Sequence, residues 1–95
     1  MEKREGTGWV PVKDFLVEEA GEGKWICDLQ GGTILFEEAR GRFHVTVTYD
    51  DQPGRKTFIG PFASLNDAAY DITHGVVLRR LAELLIDNGI LVHAA

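Results

Sequence analysis

This sequence is poor in cysteine: Cys27 stands alone and has no partner for an intramolecular disulfide. Its place between Ile26 and Asp28 in a strand-like run predicts a buried, inert thiol. Basic residues are also short, with 10 Lys and Arg against 15 Asp and Glu and a formal charge of −5. That balance argues against a sequence-independent nucleic-acid binder, which needs a basic surface. It argues equally against attachment to an anionic membrane. No apolar run approaches the ~18 residues of a membrane helix, and the opening Met-Glu-Lys-Arg-Glu-Gly-Thr-Gly does not read as a secretory signal. The resulting expectation is a cytoplasmic protein with no membrane contact.

Motifs that carry chemistry are equally scarce. His44, His74 and His93, even with Cys27, do not fall at the short paired spacing of a structural zinc set, so no metal is expected. Adjacent carboxylates occur at Glu18-Glu19, Glu37-Glu38 and Asp50-Asp51. Neighbours on a strand point to opposite faces, and an aspartate pair in a turn serves the turn. None of the three therefore makes the positioned acid–base pair that catalysis requires. Ser64 follows Phe62-Ala63 rather than sitting in a Gly-x-Ser-x-Gly elbow, and Gly31-Gly32 lacks the Gly-Lys-Ser/Thr ending of a phosphate-binding loop. The sequence predicts no enzyme, no catalytic residue and no cofactor.

What remains is ample material for a small core. Of 95 residues, 44% are apolar, which suits a single domain spanning 1–95 with a flexible end over 1–8. Pro11 opens a predicted short helix over 11–19, in which Val12, Phe15 and Leu16 share a face. Trp25, Cys27 and Leu29 alternate along a strand over 24–29, and Gln30-Gly31-Gly32 supplies a tight turn. A second strand over 33–38 puts Ile34 and Phe36 on one face and Leu35 on the other. The clearest strand runs over 42–50. There Phe43, Val45, Val47 and Tyr49 alternate with Arg42, His44, Thr46 and Thr48, so one face is buried and the other wet. After the turn-forming Asp50 to Gly54, a fourth strand follows over 55–61. Short turns make an antiparallel meander the economical topology.

Ser64 to Asn88 is the one long helical pattern, with Ser64 as N-cap, Asp67 three residues on, and Asn88-Gly89 at the end. Its apolar stripe changes sides at Gly75. Leu65, Ala68, Ala69, Ile72 and Val76 share one face; Val77, Leu78, Leu81, Leu84 and Leu85 share nearly the opposite one. The first group suits the sheet, while the second needs other cover. A break at His74-Gly75 would re-aim it, and Trp9, Val12, Phe15, Leu16 and Ile90 to Val92 are the chain's own apolar material. The expected cover is a homodimer through Val77, Leu78, Leu81, Leu84 and Leu85, since leucine-sized side chains gain roughly 1.5–3 kcal/mol each on burial. The expected fold is α+β: an antiparallel three- to four-stranded meander packed against a long C-terminal helix, with a short N-terminal helix.

Two stretches carry a family resemblance. Gly41-Arg42-Phe43-His44-Val45-Thr46-Val47, and Thr57-Phe58-Ile59-Gly60-Pro61-Phe62-Ala63-Ser64-Leu65-Asn66-Asp67-Ala68-Ala69-Tyr70, resemble the strand–strand–helix core of ethylene-response-factor-type DNA-binding domains. The arm-binding domains of phage integrases look similar. The shared pattern is Gly-basic-aromatic opening a strand and Gly-x-Phe-x-Ser/Thr-x-x-acid-Ala-Ala joining the last strand to the helix. In that family the sheet reads the major groove with Arg and Trp side chains. The matching strand here offers His44, Thr46 and Thr48, with Arg42, Arg55 and Lys56 as the nearby basic residues. The resemblance therefore implies the fold more than DNA binding.

The other constellation is acidic: Asp14, Glu18, Glu19 and Glu22 lie close in sequence, with Glu37 near them if the first hairpin folds back. The leading expectation is a small acidic, non-enzymatic protein that binds a protein partner and self-associates. A phage or mobile-element inhibitor or accessory protein acting on a host protein suits that description. The alternative is a nucleic-acid-binding module using Arg42, His44, Arg55 and Lys56 on the exposed face of the sheet.

Overall fold

The computed structural model describes residues 9–13, 17–75 and 78–93. Alternation of apolar and polar side chains builds most of it into one antiparallel meander of five strands: β2 (Glu18–Gly21), β3 (Lys24–Leu29), β4 (Gly32–Ala39), β5 (Arg42–Tyr49) and β6 (Gln52–Phe62). Sequence-adjacent strands pair throughout, and the Arg40-Gly41 turn takes positive φ at both residues (56° and 77°), the geometry that matches strand twist in a two-residue hairpin. A separate two-stranded ribbon joins β1 (Trp9–Pro11) to β7 (Leu91–His93), with Val10 opposite Val92.

Register defines two faces. Trp25, Phe36, Val45 and Ile59 lie in one cross-strand row, and Cys27, Ile34, Val47 and Thr57 in the next. These rows face the helices and supply Cys27, Ile34, Phe36, Val45 and Val47 to the core, with Tyr49 beyond them. The helices are α1 (Leu65–His74) and α2 (Arg79–Asp87). The Ser64 hydroxyl caps α1 by accepting from the Asp67 backbone N–H at 3.0 Å. Ala68 and Ile72 of α1 and Leu81, Leu84 and Leu85 of α2 join the sheet residues, Ile90 and Leu91 in a single cluster.

The long helix expected over 64–88 is two helices. Gly75 caps α1, its N–H donating to the Asp71 carbonyl at 2.8 Å. An added Cβ there would lie 2.9 Å from the Asp71 carboxylate. Leu78, at φ −80° and ψ 116°, is extended and begins α2. Glycine followed by two β-branched valines is the poorest helix-forming run in the segment. The break answers the change of apolar face: the second helix is turned so that its leucines meet the same sheet as the first. Leu84 sits over the β3–β4 turn, its methyl groups 3.4 Å from a Cβ built at Gly31 and 3.0 Å from one built at Gly32.

The expected N-terminal helix is also corrected. Pro11 ends β1, and Glu18 and Glu19 belong to β2; Asp14, Phe15 and Leu16 between them lie outside the described residues, as do residues 1–8. Pairing with a distant strand overrides the helical expectation at Pro11 and Val12. Val12 N–H donates to the Ile90 carbonyl at 2.8 Å, and Pro11, which has no N–H to give, is tolerated in an edge ribbon. The strand count rises to five because the Glu22-Gly23 turn recruits Glu18–Gly21 against β3, with an irregular register past Glu19. A short, charged, bulged strand is a usual device for ending a sheet.

Candidate functional site

With both helices on one side, the other side of the sheet is left open by the described residues. Cross-strand partners share a face, so the register places Ile26, Leu35, Thr46 and Phe58 in one row across β3 to β6, continued by Glu18 on β2. Strands spaced ~4.8 Å apart make this row about 19 Å long. Asp28, Thr33, Thr48 and Lys56 form the neighbouring row, and Lys24, Glu37 and His44 flank it on the other side. Phe58 is 74% exposed, the most exposed large apolar side chain among the described residues, while Ile26, Leu35 and Thr46 are half-buried among their neighbours.

The polar border is of mixed sign and partly self-paired. Lys24 Nζ lies 3.7 Å from Glu37 Oε2, and the Thr33 hydroxyl donates to Asp28 at 3.3 Å. Of the acidic group, Glu18 and Glu37 are on the open face, Glu19 is paired with Trp25 and so belongs to the helix side, and Glu22 is in the turn between β2 and β3. Asp14 lies outside the described residues. Among the described residues the acidic group thus does not form one patch.

The basic residues also divide. Arg42, His44 and Lys56 share the open face, whereas Arg55 shares the helix side with Thr57 and approaches the start of α2. Three of the five residues expected for self-association have their cover within the chain. Leu81, Leu84 and Leu85 are 1%, 6% and 0% exposed within the single chain, so they are core rather than a face awaiting a partner. Leu78 is 42% exposed, and Val77 lies outside the described residues.

Ile26, Leu35 and Phe58 were the residues that sequence reading left without a role. A signal was present: Phe58 and Ile59 are adjacent on a strand and must face opposite ways, so one of two large apolar side chains had to leave the core. Leu35 between Ile34 and Phe36, and Ile26 between Trp25 and Cys27, pose the same geometric demand.

Other groups of chemical interest are held in structural roles. Burial, helped by the Asp28 charge, pushes the Cys27 thiol up to about 11, which keeps it protonated and unreactive. The Thr73 hydroxyl is 2.9 Å from His74 Nδ1, a spacing that suggests a nucleophile and base. That same nitrogen is 3.0 Å from the Tyr70 carbonyl, an acceptor that calls for a proton on Nδ1 and so denies it the role of base. Thr73 itself donates back to the Ala69 or Tyr70 carbonyl, and the His74 ring stacks on Tyr70 with centroids 3.9 Å apart. Among the described residues no group of three or more His, Cys, Asp or Glu is placed to hold a metal, and no helix is long and apolar enough to cross a membrane.

No protein-family model, curated protein or solved structure matches the chain.

Proposed function

We propose that this is a non-enzymatic interaction protein that docks a protein partner on the open face of its sheet. The observation that carries the reading is Phe58, a ring 74% exposed at one end of the apolar row it forms with Leu35 and Ile26. Burying such a ring gains roughly 1.5–3 kcal/mol, and an apolar centre with a polar rim is the anatomy of a protein interface. The rim carries Glu18, Asp28 and Glu37 as well as Lys24, His44 and Lys56, which favours a partner surface of mixed polarity over a polyanion. The net charge of −5 adds a long-range preference for a basic partner. The small size and acidity suit an inhibitor or accessory protein of a phage or mobile element that acts on a host protein.

The test is a paired capture from host extract with the unmutated protein and Phe58→Ser as baits, both checked for folding by circular dichroism. The partner should be retained by the first and lost from the second. Equal retention by both baits would remove the open face from consideration.

A second reading has one observation in its favour: Arg42, His44, Lys56 and Phe58 share a face, and single-stranded nucleic acids bind where bases stack on aromatic rings beside basic side chains. It expects salt-sensitive binding weakened by Lys56→Ala and Phe58→Ala but not by Arg55→Ala, whose side chain is on the other side of the sheet. Self-association could use this face as well, and a mass near twice 10.5 kDa that falls in Phe58→Ser would mark it.

A further inference from the structure

At the end of the sheet, on the side opposite Phe58, a cavity of about 440 Å³ opens between β6 and the start of α2. Its walls include Arg55, Arg79, Arg80, Gln52, Thr57 and Tyr49. Three of the chain's 10 basic residues therefore meet at one hollow of a protein whose net charge is −5. They come from separate parts of the sequence, Arg55 from β6 and the adjacent Arg79 and Arg80 from α2.

Their charges are compensated unequally. Arg80 is fixed: its two terminal nitrogens donate to Asp51 at 2.6 Å and 3.1 Å, and its guanidinium carbon lies 4.6 Å from the centre of the Tyr49 ring. Arg55 and Arg79 have no ion pair with any described residue, and the first turn of α2 contains no carboxylate. Like charges gathered around a cavity repel, and two of the three guanidinium groups here make no side-chain hydrogen bond or ion pair with a described residue. The planar guanidinium fork matches a phosphate in bidentate fashion, and the cavity falls in the size range of small-molecule sites.

The geometry points to this hollow as a binding site for the phosphate group of a small phosphorylated molecule. Arg55 and Arg79 grip the phosphate, Arg80, held by Asp51 and Tyr49, forms the fixed wall beside them, and Gln52 and Thr57 offer polar contacts to the rest of the ligand. The site does not depend on the open-face reading, since it lies on the other side of the sheet.

Inorganic pyrophosphate and inorganic phosphate are the probes, titrated calorimetrically and followed by amide chemical shifts. Saturable pyrophosphate binding is expected, with the shifts centred on Gln52 to Thr57 and Leu78 to Arg80. Arg55→Gln and Arg79→Gln, both at exposed positions, should each weaken it by about tenfold or more, the effect of losing one charge-assisted pair. Arg42→Gln, on the open face, should leave it unchanged. Absence of saturable binding at millimolar probe, equal affinity in the Arg55 and Arg79 variants, or equal weakening by Arg42→Gln would overturn the assignment. Displacement of pyrophosphate by a short single-stranded DNA at comparable phosphate concentration would overturn the small-molecule assignment in favour of a nucleic-acid backbone.

Discussion

The side-chain amide of Asn88 reads both main-chain polar groups of Gln30, across 58 positions of sequence: its Oδ1 accepts from the Gln30 N–H at 2.9 Å and its Nδ2 donates to the Gln30 carbonyl at 3.0 Å. The same Nδ2 reaches the Leu84 carbonyl at 2.8 Å, one of the last carbonyls of α2. One residue thus ends the helix and pins its end to the β3–β4 turn. Because Gln30 is exposed, water can replace the lost bonds in Asn88→Ala, and the cost should be about 1–2 kcal/mol. Urea unfolding checks this: the midpoint should fall with an unchanged slope. Asn88→Asp keeps the acceptor but turns a charge toward two carbonyls, so it should be no better than alanine. An unmoved midpoint in both variants would mean that the helix end is held by packing alone.

Beneath the same helix, Gly32 is required for space rather than for its turn. A Cβ there would lie 2.7 Å from the Thr48 carbonyl oxygen and 3.0 Å from a Leu84 methyl. The backbone oxygen has no room to retreat, and Gly32→Ala should cost about 1–3 kcal/mol by overpacking. Gly54, in the exposed start of β6, meets nothing within 4 Å and has no positive φ. Gly54→Ala should stabilise by about 0.4–1 kcal/mol through the unfolded chain. Opposite signs in the two midpoints are the expected result.

The four strands read from alternation are present with nearly the expected ends, because alternation over 24–29, 33–38, 42–50 and 55–61 reports a local geometry that the sheet then satisfies. The buried cysteine was legible from the same alternation, and the Ser64 cap because it rests on a contact three residues away. β2 was not legible, since Glu18-Glu19-Ala20-Gly21 has no apolar face and forms only because β3 offers an edge. β1 and β7 find each other across the whole chain. The leucine stripe was correctly seen to change sides at Gly75, but whether the helix or the partner changes with it depends on the path of the backbone at 75–78. The open-face residues Ile26, Leu35 and Phe58, and the meeting of Arg55 with Arg79 and Arg80, follow from cross-strand register and the placement of α2, which no window of sequence contains.

Asp51 links stability to acid. Its hydrogen bonds from Arg80 hold its carboxyl below the ordinary aspartate value of 3.8. A carboxylate whose folded pKa is depressed contributes stability above the unfolded value, and that contribution is lost as pH falls through the lowered folded value. The thermal midpoint of the unmutated protein should therefore begin to drop as pH falls below about 4, in the range where an unfolded aspartate takes up its proton. Asp51→Asn should begin lower at neutral pH and fall less over the same acid range. Both residues are exposed, so the separation between the curves should be small and should shrink in high salt. Parallel curves at every pH would show that the ion pair makes no difference to folding.

Leu78 and Leu81 sit one turn apart and should behave as opposites. Leu81 is 1% exposed in the common core. Leu81→Ala should cost about 2–5 kcal/mol, and Leu81→Glu, which places a carboxylate there, should abolish the cooperative unfolding transition. Leu78 is 42% exposed at the start of α2. Leu78→Glu should stay within about 0.5 kcal/mol of the unmutated protein, helped by a negative charge beside Arg79 at the positive end of the helix. Light scattering then separates core from interface. If Leu81 belongs to the core, Leu81→Glu yields unfolded or aggregated chain, and Leu78→Glu keeps the mass of the unmutated protein. A folded Leu81→Glu whose mass falls from two chains to one would place the α2 leucines between subunits, and would require α2 to leave the sheet on which it is packed here.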